Sequence, residues 1–85
     1  MFEGEELQYP VDWHFKIITI DIPGVVEHLT QVLVKHGIND IPTKGNKSSG
    51  GKYISYRVTV TVNNREHWDL ISKELNALEC VKYLL

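Results

Sequence analysis

Cysteine is nearly absent: Cys80 stands alone in 85 residues, so no disulfide can form within the chain. Nothing therefore calls for an oxidising compartment. Set between Leu78 and Val81, this thiol reads as a small buried apolar group and not as a nucleophile. No apolar run approaches the 18 residues that a membrane helix needs. The opening residues are acidic where a signal peptide would be basic. The expectation is a cytoplasmic protein with no membrane partner. A formal net charge of −2 supplies no overall field to gather nucleic acid. Metal-ligand patterns are missing too: His28 and His36 lie eight apart, and no Cys/His pair has structural-zinc spacing. Ser48 and Ser49 have no neighbouring histidine and acid, and Gly45 to Lys52 lacks the strand–Gly-Lys-Ser/Thr–helix context of a phosphate loop. No metal, no cofactor and no catalytic residue is expected, and the chain reads as a non-enzyme.

What is present is hydrophobic patterning sufficient for one small domain. Residues 1–12 are polar, acidic and closed by Tyr9-Pro10, which favours an extended arm with Tyr9 available to pin it. Residues 13–85 read as a single domain. In Trp13–Ile20, Phe15, Ile17 and Thr19 share one face, and His14, Lys16 and Ile18 the other. Lysine is seldom buried, so the Phe15/Ile17 face is assigned to the core. Asp21-Ile22-Pro23-Gly24 turns the chain into a helix whose apolar residues, Val25, Val26, Leu29, Val32 and Leu33, keep helical spacing as far as His36, with Gly37 closing it.

Ile38–Thr43 reads as a short edge strand interrupted by Pro42, followed by a flexible Gly45–Gly51 loop. Tyr53–Val62 alternates most cleanly, with Ile54, Tyr56, Val58, Val60 and Val62 inward. A second helix begins near Asn63, which has Glu66 at capping-box spacing, and buries Ile71, Leu75 and Leu78. In the closing strand Val81–Leu85, alternation places Val81, Tyr83 and Leu85 inward and Lys82 outward. The order β-α-β-β-α-β predicts an α+β ferredoxin-like sandwich: a four-stranded antiparallel sheet in the order 4-1-3-2 with both helices on one face.

Charge is distributed unevenly over that plan. Between Ile41 and Arg65 lie Lys44, Lys47, Lys52, Arg57 and Arg65 and no acid. On the outer sheet face, strand parity gathers Lys16, Arg57 and Lys82 into a basic patch. RNA-recognition sheets need aromatic platforms on that face, and only Tyr53 offers one, so nucleic acid is not the favoured partner.

Several segments resemble the YbeD-like family of small bacterial proteins: Tyr9-Pro10, Phe15-Lys16-Ile17, Ser48-Ser49 leading into Lys52-Tyr53-Ile54-Ser55, and Cys80-Val81-Lys82-Tyr83-Leu84-Leu85. The resemblance implies a ferredoxin-like fold related to ACT regulatory domains, a poorly defined molecular role and a link to lipoate metabolism. Within it, Asp21-Ile22-Pro23-Gly24-Val25 and His36-Gly37-Ile38-Asn39 look like the ACT signature. By that resemblance Asp21, Pro23, Gly24, Val25 and Asn39 are candidate ligand-binding residues, usually completed between two domains. A helix N-terminus offers N–H groups to a carboxylate, although Pro23-Gly24 also suffices as a tight turn.

The expected function is a free-standing, ACT-like regulatory or binding module that senses a small carboxylate, an amino acid or a lipoate-related acid. The alternative is a protein-interaction adaptor acting through the basic hairpin and the Lys16/Arg57/Lys82 face. A homodimer through the edge strands is compatible with both.

Overall fold

The structure is a computed structural model, and residues 8–48 and 50–85 are described. The expected arm over residues 1–7 and the role of Ser49 lie outside the described residues. Six elements follow in order: β1 (Val11–Ile20), α1 (Val25–Lys35), β2 (Thr43–Lys47), β3 (Tyr53–Val62), α2 (Arg65–Ala77) and β4 (Val81–Leu84). The sheet is antiparallel with order β2-β3-β1-β4, the predicted order read from the opposite edge. The fold is α+β and ferredoxin-like.

Strand alternation decides which face the helices cover. Phe15, Ile17 and Thr19 of β1 and Ile54, Tyr56, Val58, Val60 and Val62 of β3 are all buried. They meet Val25, Leu29 and Leu33 from α1 and Ile71 and Leu75 from α2. Leu29, Leu33, Ile71 and Leu75 are fully buried, and removing each such side chain from water is worth about 1.5–3 kcal/mol. No described helix is long and apolar enough to cross a membrane.

Lys35 and His36, at the end of α1, clamp it to α2 through the two carboxylate oxygens of Glu74, at 3.2 and 3.3 Å. The hydrogen bond from Lys35 holds the Glu74 carboxyl below the usual carboxylate range.

The sequence reading needs correction in four places. The first strand begins at Val11, not Trp13, so Val11 and Asp12 of the expected arm are strand. The second strand is Thr43–Lys47, not Ile38–Thr43, so part of the expected loop is strand. Ile38 and Pro42 are instead buried as the connection crosses back from α1, and pairing to β3 begins only beyond the proline. The cap of α2 is Asn64, not Asn63: its side chain accepts the His67 N–H at 2.8 Å. The ring of His67 takes the place proposed for Glu66, its Nδ1 accepting the Asn63 N–H at 3.1 Å. In β4, Tyr83 pairs with Ile18 and Leu84 with Ile17, but Thr19 pairs with Val81. Lys82 is therefore the extra residue of a bulge, which reverses parity beyond it. Leu84 takes the core side, and Tyr83 and Leu85, expected inward, are 65% and 69% exposed.

Candidate functional site

The entrance to α1 is built around Gly24, whose φ of 86° lies in the left-handed region that glycine tolerates best. The helix has no side-chain cap. Asp21 is engaged elsewhere: its carboxylate meets Lys47 Nζ at 2.9 Å and its N–H donates to the Lys52 carbonyl at 3.1 Å. Asp21 thus ties the end of β1 to the β2–β3 hairpin. Beside the turn lies a depression of about 370 Å³ lined by Pro23, Val25, His28, Leu78, Glu79 and Cys80, among others.

Burial pushes the Cys80 thiol up from its ordinary pKa. Tyr56 is also pushed up, first by burial and then by the negative potential of Asp21, Cys80 and Glu27. With Glu79 at the rim as well, acids outnumber bases around this entrance. Asn39 is not there. It sits past the other end of α1, beside Gly37, Asp40, Thr61, Asn63 and His67, and an 11-residue helix spans about 16 Å. Within one chain the ACT-like residues divide between the two ends of α1.

The outer sheet face brings its residues together. Lys16 on β1 stands directly opposite Arg57 on β3, and Arg57 faces Thr43 on β2. On the other flank Lys16 exchanges two backbone hydrogen bonds with Leu85, at 3.0 and 2.8 Å. The next row sets Tyr83 beside Ile18 and Ile18 beside Ser55. Lys16 and Arg57 both line two adjoining depressions, one of about 420 Å³ towards Lys44, Ser55 and Tyr53, the other of about 740 Å³ towards His14, Ile41 and Thr59. The two halves of this groove meet at Lys16, Thr43 and Arg57, which line both, and Asp40 also lines the larger half. Among the described residues, neither cation has a carboxylate within ion-pair distance. Lys82 is exposed at the bulge and lines neither depression.

The groove has a floor because β2 presses closely on β3 at Gly45. A β-carbon there would lie 2.5 Å from Ser55 Oγ, which donates to the Asn46 carbonyl at 3.4 Å. Tyr83 was missed as a surface residue in the sequence reading, since alternation alone gives no sign of a bulge. Also missed was an aromatic cleft around Trp13 and Trp68 at the far end of the sheet. No group of three or more metal-binding side chains occurs among the described residues.

Comparison with known proteins agrees with this architecture. A family model described as "Protein of unknown function (DUF493)" matches residues 4–85. "UPF0250 protein" chains from Yersinia pestis (strain Pestoides F) and Yersinia pseudotuberculosis serotype O:3 (strain YPIII) are each 28% identical over 82 residues, 96% of this chain and 94% of theirs. The solution structure of protein HP0495 from H. pylori superposes with a TM-score of 0.82 at 21% identity, covering 94% of this chain and 86% of that one. A second solution structure of HP0495 gives 0.63 at 19% identity. These relatives are consistent with the resemblance to YbeD-like proteins.

Proposed function

The chain belongs to the DUF493 family, whose function is unknown, and from its own geometry we propose a non-enzymatic binding module that works through the open face of its sheet. The module takes an acidic, partly apolar segment of a partner protein, in the cytoplasm. One observation carries this reading: Lys16 and Arg57 lie directly opposite each other on the two central strands and, among the described residues, neither has a carboxylate within ion-pair distance. Like charges opposed across strands cost stability, and a bound carboxylate relieves that cost. Exposed Tyr83, Leu85 and Ile41 supply apolar contact around the charged centre. On that face Tyr53, on β3, and Tyr83, on β4, are separated by β1 and form no paired platform, so the surface suits acidic side chains better than stacked bases.

A second reading rests on the uncapped start of α1 and its adjoining depression, which offer N–H groups to the carboxylate of an amino acid and Glu79 to its ammonium group. The acids around that entrance favour a zwitterion over a simple carboxylate. A side-by-side homodimer is compatible with either reading. Neither edge is favoured, because β2 and β4 are both short, each has a register shift and each carries lysine.

The test uses a labelled peptide of alternating glutamate and leucine, with glutamine/leucine and lysine/leucine counterparts, and follows fluorescence anisotropy. The glutamate peptide should bind, weaken as salt rises, and lose at least tenfold in affinity to Lys16→Glu with Arg57→Glu. Equal binding of the glutamine peptide, or tighter binding of mixed single-stranded RNA, would overturn the adaptor reading. The same double variant leaves the α1 entrance intact. Thermal stabilisation of that variant by an amino acid would support the second reading in its place.

A further inference from the structure

The end of the sheet opposite the α1 entrance holds an apolar cleft that the sheet-face reading does not use. Val11 and Val62 pair across β1 and β3 at this end, and α2 starts just beyond them. Between strand ends and helix lies a space of about 310 Å³ lined by Tyr9, Val11, Trp13, Val62, Arg65 and Trp68. That is room for about ten water molecules, at the lower end of small-ligand sites.

The walls are aromatic and packed on one another. Trp13 meets Trp68 edge-to-face with ring centroids 5.6 Å apart, and Phe15 stacks on Trp68 at 6.3 Å. These contacts fix the indoles before anything binds, so an apolar body enters with little ordering cost. The mouth carries a cation: the Arg65 guanidinium lies 5.9 Å from the centre of the Trp68 ring, and its side chain is 76% exposed. It pairs with Asp69 through Nε, at 3.4 Å, which leaves the two terminal nitrogens for a planar anion.

We infer that this cleft binds a small organic carboxylate with a compact apolar body, the body lodged against the touching indoles and Val11 and Val62 and the carboxylate on Arg65. Charge selects the ligand class, because five apolar or aromatic residues and one arginine form the lining. The site is separate from Lys16 and Arg57 and does not depend on the adaptor reading.

Trp13 and Trp68 are the chain's two tryptophans, so intrinsic fluorescence reports directly on the cleft. The full chain is titrated with 3-phenylpropanoate, 3-phenylpropan-1-ol and 3-phenylpropylamine. The acid should give a saturable change, with the alcohol about tenfold weaker and the amine weaker still. Arg65→Gln should bring the acid down to the level of the alcohol without altering the alcohol itself. Asp69→Asn, which removes the carboxylate competing for Arg65, should tighten the acid. Lys16→Glu with Arg57→Glu should leave all three titrations unmoved. No saturable response, equal response to acid and amine, or a change that follows protein concentration and not probe would overturn the inference. Urea unfolding confirms that each variant is folded before titration.

Discussion

At Gly45, an added methyl group would meet two atoms of Ser55, the hydroxyl at 2.5 Å and the carbonyl oxygen at 3.2 Å. The first contact is impossible without movement. The hydroxyl could rotate, but only by giving up its bond to Asn46. Gly45→Ala is therefore expected to cost about 1–3 kcal/mol, as overpacking usually does. In a Ser55→Ala background the penalty should fall but not vanish, because the carbonyl contact persists. Urea unfolding of the four chains in this cycle provides the measurement, and an unchanged penalty would show that the hydroxyl is not the obstacle. None of this is legible in the residue order. Alternation identifies Phe15, Ile17, Tyr56, Val58 and Val60 as core because strand geometry alone sets their direction. The need for glycine at position 45 arises only when a second strand approaches the first.

Elements differ in legibility for related reasons. β3 is legible because five apolar side chains repeat with period two, and α1 because its apolar stripe repeats near 3.6. β2, Thr-Lys-Gly-Asn-Lys, has every residue exposed and no pattern at all. It is a strand because the hydrogen-bonding groups of β3 need a partner, which is tertiary information. The bulge at Lys82 is similarly silent in sequence, and it moves Tyr83 onto the open face. At the start of α2 the capping residue is displaced by one position from the sequence reading. Asn64 serves because its extended backbone, φ −166° and ψ 177°, turns its side chain towards the first free N–H groups. Asn64→Ala should then lose about 1 kcal/mol, and Asn63→Ala clearly less, in urea unfolding. With Nδ1 accepting from Asn63, the other ring nitrogen of His67 is the one that carries hydrogen and donates to the His36 carbonyl at 3.0 Å. The imidazole thus joins the end of α1 to the start of α2. Equal losses at Asn63 and Asn64 would mean that the cap is shared and not assigned to one residue.

At the scale of the molecule, two layers must do all the burying: one sheet, one pair of helices, and a slab only 19 Å across its shortest axis. The site follows from that plan. Lys16 and Arg57 were placed together by parity because both central strands are regular, whereas Lys82 and Asn39 depended on a bulge and on the length of α1. The same thin core contains Tyr56 and Cys80, and it governs how stability responds to pH. Burial raises both groups above their ordinary values of 10.0 and 9.0, so the folded chain holds these protons more tightly than the unfolded chain does. Stability from them is complete below pH 9 and is lost as pH rises through the folded values, because the unfolded state releases its protons first. The urea midpoint should accordingly be flat near neutrality and fall from about pH 9 upward, under reducing conditions. Cys80→Ala should shift the onset upward, and Tyr56→Phe should flatten the steeper part of the fall. The negative potential of Cys80 contributes to the Tyr56 shift, so the double variant should recover less than the sum of the two. An alkaline fall of undiminished depth in the double variant would show that neither buried group carries it.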